Sequence, residues 1–199
     1  MQGIIVENPK KLLYQRPTRK EARFLQAMEI AKILRYVEKS LKYKALILLL
    51  LTTGLRLSEL CSLTKKQIQN AVVVGNIYQI NVVGKGRKLR SIFLPRKTRE
   101  TCIRLKIANT PNLLGFKKQK IQYIIKTIRK ATKVKFTAHT LRHTYLSHLA
   151  KNGADLRKIQ KIAGHASIQS TSLYLHCSNK ELANTADLAT SLIENEKNL

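Results

Sequence analysis

Apolar residues recur with helical spacing along most of this chain and shift to strand spacing in one place. Met28, Ile30, Ala31, Ile33, Leu34 and Val37 follow a period near 3.6 and predict a helix over 27–39. The run ALILLLL at 45–51 lies inside a second segment, 42–53. It is too short to span a bilayer, so it predicts a buried helix, stopped by Gly54. A short helix is expected at 57–63. From residue 71 the pattern changes. AVVV at 71–74, Gly75-Asn76 and IYQINVV at 77–83 predict a hairpin closed by a two-residue turn. GKGR at 84–87 makes a second turn, and KLRSIFL at 88–94 a third strand, ended by Pro95. Helical spacing returns at 97–108, 117–132, 140–151, 155–163, 167–175 and 180–194. The expected fold class is mixed, mainly α with a small three-stranded antiparallel β-sheet.

Charge narrows the possible partners. The chain has 199 residues, 44% of them apolar, and a formal net charge of +27. That excess exceeds what solubility requires and points to a polyanion. It is also uneven: 60–154 holds 21 Lys or Arg and one acid, Glu100, whereas 179–199 holds four acids and two lysines. Membrane-surface binding calls for a basic amphipathic helix or a lysine cluster beside an apolar anchor. Here the basic residues are spread between ordinary core segments, which favours nucleic acid over membrane. Cys61, Cys102 and Cys177 are odd in number and widely spaced, so neither a disulfide framework nor a zinc site is expected. A cytoplasmic protein is the expectation.

Chemistry on a nucleic-acid backbone needs a nucleophile, cations on the non-bridging oxygens and an acid for the leaving oxygen. Two-metal nucleases supply carboxylates for this. The basic body has too few acids, so Arg, Lys and His are the expected agents and no metal or other cofactor is expected. Three segments gather them. TGLRLSEL at 53–60 sets Arg56 just after a glycine, with Glu59 three residues on and on the same helical face. HTLRHTYLSHL at 139–149 sets His139 and Arg142 three apart. GHASIQSTSLYLH at 164–176 carries His165 and, nine residues later, Tyr174 between Leu173 and Leu175. The hairpin with Lys85 lies between the first two.

These motifs together resemble the tyrosine recombinases, the phage-integrase and Xer-type family. T-G-L-R-x-S-E-L, G-K-G-x-K-x-R (Gly84, Lys85, Gly86, Lys88, Arg90), H-x-L-R-H-T and G-H-x-S-I-x-x-T-x-x-Y-x-H occur in order, and the likeness covers roughly residues 20–178. The resemblance implies the fold of that family's catalytic domain and a site-specific recombinase that cuts and rejoins double-stranded DNA through a 3′-phosphotyrosine, without metal or ATP. It implies Tyr174 as nucleophile, Arg56 and Arg142 as phosphate clamps, Lys85 as general acid with Lys88 as the fallback, and His139 and His165 as proton-transfer and phosphate-binding groups. Glu59 would support the site by holding Arg56 or a histidine. Arg87, Lys88 and Arg90 are expected to touch DNA. His143, His148 and His176 are left as structural or phosphate-contacting.

The resemblance also divides the chain. Residues 1–20 would be a linker or arm, 21–178 the catalytic domain and 179–199 a C-terminal tail helix. Family members usually carry a further N-terminal domain, so the chain is expected to be either a fragment or a one-domain member. Leu182, Ala183, Ala186, Leu188, Ala189, Leu192 and Ile193 form a stripe on the tail. In relatives such a helix packs onto a neighbouring protomer, which implies a homo-oligomer, a tetramer on paired sites with the tail exchanged in trans; the alternative is that the tail packs on its own domain. The alternatives are a catalytically silent DNA-binding regulator on this fold, a type IB topoisomerase-like enzyme, and a non-enzymatic packaging or RNA-binding protein. Gln26 stands where a Ser or Thr helix cap is usual.

Overall fold

The computed structural model describes residues 23–106, 110–164 and 178–194. Its centre is α2 (Leu41–Thr53), in which every residue from Ala45 to Thr53 is buried. A helix apolar all round belongs inside a core. The Ser40 side chain accepts from the Tyr43 amide at its start, and Gly54 ends it in the left-handed conformation at φ 61°. Thr52 and Thr53 tolerate burial because their hydroxyls donate to the carbonyls of Leu48 and Leu49.

Around α2 pack α1 (Ala27–Val37), α5 (Arg96–Ile103) and α7 (Ala138–Lys151), with α6 (Lys118–Thr132) lying against α1 and α3 (Leu57–Ser62). The isoleucines of α6, Ile121, Ile124, Ile125 and Ile128, face this core, and its lysines face out. Gln26 does begin α1, and Glu29 repays the missing hydroxyl by accepting from the Gln26 amide at 3.1 Å.

The three strands lie in the order β1 (Val72–Val74), β2 (Ile77–Val83), β3 (Leu89–Leu94), all antiparallel. Val74 pairs with Ile77 around Gly75-Asn76, and Gly75 supplies the positive φ of 61° that this turn requires. Val83 pairs with Leu89 at the other end, where the Gly84 amide donates to the Lys88 carbonyl at 2.8 Å.

Three details depart from expectation. A five-residue helix, α4 (Lys65–Gln69), has a single buried apolar residue, Ile68, so it shows no period. A reciprocal cap makes it: Thr64 accepts from the Gln67 amide, and the Gln67 side chain from the Thr64 amide. Helix α5 stops at Ile103 rather than 108, as the chain turns to bury Leu105. The tail is not one helix. It runs as α9 (Asn179–Asp187), a 3₁₀ turn over Leu188–Thr190 and α10 (Ser191–Glu194). Thr190 donates to the Asp187 carboxylate and Ser191 to the Leu188 carbonyl, which draws the chain into the tighter turn. Leu182, Ala183, Ala186 and Ala189 bury against Phe93, Tyr145 and Leu149 of the same chain, together with Ile159 and Ile162 of α8 (Leu156–Ala163). The expected helix at 167–175 lies outside the described residues.

Candidate active site

The site grows from the break between α2 and α3. Gly54 turns the chain, and a Cβ there would lie 2.6 Å from a ring carbon of Tyr145. Two residues on, Arg56 occupies the N-cap of α3 and Glu59 its third position. The Glu59 side chain folds back, so its carboxylate receives the Arg56 amide at 2.7 Å and the Arg56 guanidinium at 2.9 Å.

Arg90, projecting from β3, closes on the same carboxylate. Its Nε donates to one Glu59 oxygen at 3.1 Å and its Nη2 to the other at 2.7 Å. Glu59 is 1% exposed. Burial raises the pKa of its carboxyl, but donation from Arg90 and from the Arg56 amide outweighs it and brings the value down to about 2.

Arg142 enters from α7. Thr137 caps that helix, accepting from the Thr140 amide at 3.1 Å while the Thr140 hydroxyl accepts from the Thr137 amide at 3.1 Å. The side chain is buried; it donates to the Gly54 carbonyl, and to the Ala163 carbonyl at 2.5 Å. Burial, then repulsion from Arg56 and Arg90, lowers its pKa to about 10, with Glu59 working the other way. It remains a cation at neutral pH. Two guanidiniums on the carboxylate and a third close by leave surplus positive charge that an anion would relieve.

These arginines share an anchor at the end of α8. Arg90 donates to the Ile162 carbonyl at 2.6 Å, Arg142 to Ala163 at 2.5 Å and Arg56 to Gly164 at 2.7 Å. Carbonyls in a helix's last turn lack helical partners and carry the negative end of its dipole. Three consecutive ones are therefore matched to three separate cations. Gly164 then leads directly into His165.

His139 sits at the exposed start of α7, with its Nε2 2.8 Å from the Nε2 of His143 and the rings edge-on at 89°. One nitrogen of that contact must carry the proton and the other accept it. The hairpin turn lies alongside: a Cβ at Gly84 would come within 3.4 Å of a Glu59 oxygen and 3.9 Å of an Arg56 nitrogen. Lys85 follows Gly84 in this turn, and Arg87 and Lys88 are exposed there. A groove of 1070 Å³ opens from Arg56, His139 and Arg142 along α6, past Lys126, Arg129 and Lys130 to Lys133 and Lys135. None of its described lining residues is acidic.

The structure thus brings Arg56, Glu59 and Arg142 together, with His139 beside them and the Lys85 turn adjoining. His165 and Tyr174 lie outside the described residues. Arg90 is set apart from the exposed Arg87 and Lys88: its side chain is 9% exposed and is occupied by Glu59 and backbone carbonyls. The alternation of β3 turns Arg90 inward, while its neighbour Leu89 faces solvent. Sequence reasoning also missed His143 as the partner of His139 and the 162–164 carbonyls as an anchor. Backbone acceptors carry no side-chain signature, although the i,i+4 spacing of the two histidines is visible.

Fold and site define a helical domain with a small sheet, built around a buried arginine cluster suited to a phosphate. The phage integrase family profile matches residues 23–181. A tyrosine recombinase of Thermosipho africanus is 30% identical over 91% of this chain and 67% of its own. Tyrosine recombinase XerC of Bacillus subtilis is 31% identical over 92% of this chain and 66% of its own. The crystal structure of XerA recombinase superposes with a TM-score of 0.61 at 28% identity, covering 81% of this chain and 62% of that one. The chain belongs to the phage integrase family, and it spans about two thirds of the length of these relatives.

Proposed function

We propose that this chain is the catalytic part of a site-specific recombinase that cleaves and rejoins double-stranded DNA through a phosphotyrosine. The arginine cluster at the end of α8 carries the reading. Arg56 and Arg142 converge where the chain leads into His165 and Tyr174, at the mouth of a basic groove. Planar guanidiniums match phosphate oxygens in a way that a lysine cannot.

In this reading the Tyr174 oxygen attacks the scissile phosphorus. A P–O bond to tyrosine forms, and the bond to the 5′-oxygen breaks. The phenol proton passes to a neighbouring base, His139 or His165, and Lys85 gives a proton to the departing 5′-hydroxyl. A free tyrosine has a pKa of about 10, and the surplus positive charge of the cluster would favour its anion. The ester keeps the energy of the broken bond, so attack by a second 5′-hydroxyl reseals the strand without ATP. Neither metal nor another cofactor is required. Strand exchange would take place in a homotetramer on paired sites. The tail, packed here on its own domain, would be free to exchange with a neighbour in that assembly. The setting would be the cytoplasm, at the nucleoid.

The test is a nicked duplex whose cleaved end diffuses away. A protein carrying this chain is expected to form a covalent adduct in EDTA, and Tyr174→Phe none. Absence of the adduct on a paired-site substrate sinks the enzymatic reading. Relaxation of supercoils without any recombinant product would favour a topoisomerase instead.

A further inference from the structure

Arg90 differs from the other two arginines in where its donors go. Nε and Nη2 span both oxygens of Glu59 at 3.1 and 2.7 Å, Nη1 meets the Ile162 carbonyl at 2.6 Å, and Nη2 also faces the Gly54 carbonyl at 3.5 Å. Those partners belong to the start of α3, the end of α8 and the end of α2, and Arg90 itself to β3. It is not among the described residues lining the basic groove.

The backbone is fitted to this side chain. Gly164 has φ +62°, and a Cβ there would fall 2.6 Å from the Arg90 Cδ. The backbone at the end of α8 therefore lies directly against the arginine's stem. Glu59 in turn depends on Arg90. Without it, the buried carboxylate would keep only Arg56, through its guanidinium and its amide, for its two oxygens. Lysine is a poor substitute. One ammonium cannot reach both carboxylate oxygens and the Ile162 carbonyl at once.

We propose that Arg90 is a positioning residue for strand cleavage: through Glu59 it aims Arg56, and through Ile162 it places the chain that leads to His165 and Tyr174. It makes no DNA contact of its own. This rests on the recombinase reading above. Displacing reacting groups by about 1 Å can cost on the order of 10²-fold in rate even from outside the reacting centre, so the effect belongs in the chemical step and not in affinity.

The experiment measures three quantities for each protein: single-turnover adduct formation on a nicked duplex at saturating protein, the Kd for the uncut duplex across salt, and the thermal midpoint. The duplex used is one on which the wild type forms its adduct. Arg90→Lys is expected to slow adduct formation by on the order of 10²-fold, with Kd and salt slope unchanged. Combined with Glu59→Gln, it should be no slower than the slower single variant, because both break one linkage. Gly164→Ala leaves Arg90 in the chain but drives a Cβ into it. It should likewise slow the adduct and spare the Kd, which keeps the test open if Arg90→Lys melts below the assay temperature. A full adduct rate in both folded variants overturns the proposal. So does a weakened Kd with the salt slope reduced by about 0.9 and the rate at saturation intact, the signature of a phosphate contact. A wild type without adduct on any paired-site substrate overturns the recombinase reading itself, and the proposal with it.

Discussion

Glu59 is the residue on which the site's electrostatics turn. Among the described residues it is the one acid placed among the three arginines, and four of its hydrogen bonds come from just two residues, Arg56 and Arg90. Removing one member of a buried charge pair costs about 3–5 kcal/mol, because the other charge is left without compensation. Glu59→Gln is therefore expected to lower unfolding stability by about 3 kcal/mol, seen as a lower denaturant midpoint at neutral pH. Its pH signature follows from the low folded value. An unfolded chain protonates Glu59 near its ordinary 4.5, whereas the folded site holds off until about 2. The carboxylate's contribution is thus complete above pH 4.5 and is lost as pH falls toward 2. A series of denaturation curves across that window should show the wild type losing stability more steeply than Glu59→Gln. Equal slopes would mean that the carboxylate is not held by the arginines in solution.

At the scale of elements, legibility depended on whether an element is made by apolar spacing or by polar side chains. Helices α1, α6 and α8 carry their period openly, α2 shows itself by its continuous apolar run, and both hairpins announce their turns with Gly75-Asn76 and Gly84. Helix α4 does not, because a Thr64–Gln67 cap makes it rather than a stripe. The broken tail does not either. Its apolar stripe runs on through Leu192 and Ile193, while Asp187, Thr190, Ser191 and a residue 43 positions earlier, His148, impose the 3₁₀ turn. Likewise Arg56, Arg142 and Glu59 could be grouped from their motifs, but the inward turn of Arg90 could not, since its partners, Glu59 and carbonyls of α2 and α8, meet it only in the fold.

Through His148 the tail's docking is expected to depend on pH. Its Nε2 lies 2.8 Å from the Ser191 hydroxyl and 3.1 Å from the Leu188 carbonyl. Burial lowers its pKa below the ordinary 6.5, the Leu188 carbonyl opposes that, and Lys151 adds to it. A lowered histidine favours the folded form while neutral, so the tail's docking is full above pH 6.5 and weakens as pH falls through the folded value. Amide hydrogen exchange, corrected for intrinsic rate, should show protection of α9 and α10 falling relative to α2 between pH 7 and 5. His148→Gln should remove most of that fall; an unchanged fall would place its cause elsewhere.

Over the whole molecule, the arginine cluster and the basic groove are built in opposite ways. The cluster is mostly buried, with Arg56 partly open to the groove; its cations are matched to Glu59 and to helix-end carbonyls, and it is less screened by salt. The groove wall on α6 presents Lys126 and Lys130 exposed to solvent, where each acts as an independent point charge. The first arrangement is suited to holding one phosphate in a fixed geometry, the second to attracting many phosphates without regard to sequence. Affinity and chemistry should therefore separate under mutation. Lys126→Gln and Lys130→Gln are each expected to weaken duplex binding and to reduce the slope of log K against log salt by about 0.9 if the lysine neutralises one phosphate. The adduct rate at saturating protein should stay at the wild-type value. Arg56→Lys should do the reverse, with nearly unchanged binding and a rate lower by roughly 10³-fold, the scale of one arginine's contribution to phosphoryl transfer. Binding isotherms at several salt concentrations, paired with single-turnover rates, distinguish the two. A lysine variant that slowed the saturated reaction would draw α6 into the reacting geometry, and an arginine variant that lost only affinity would reduce the cluster to one more phosphate contact.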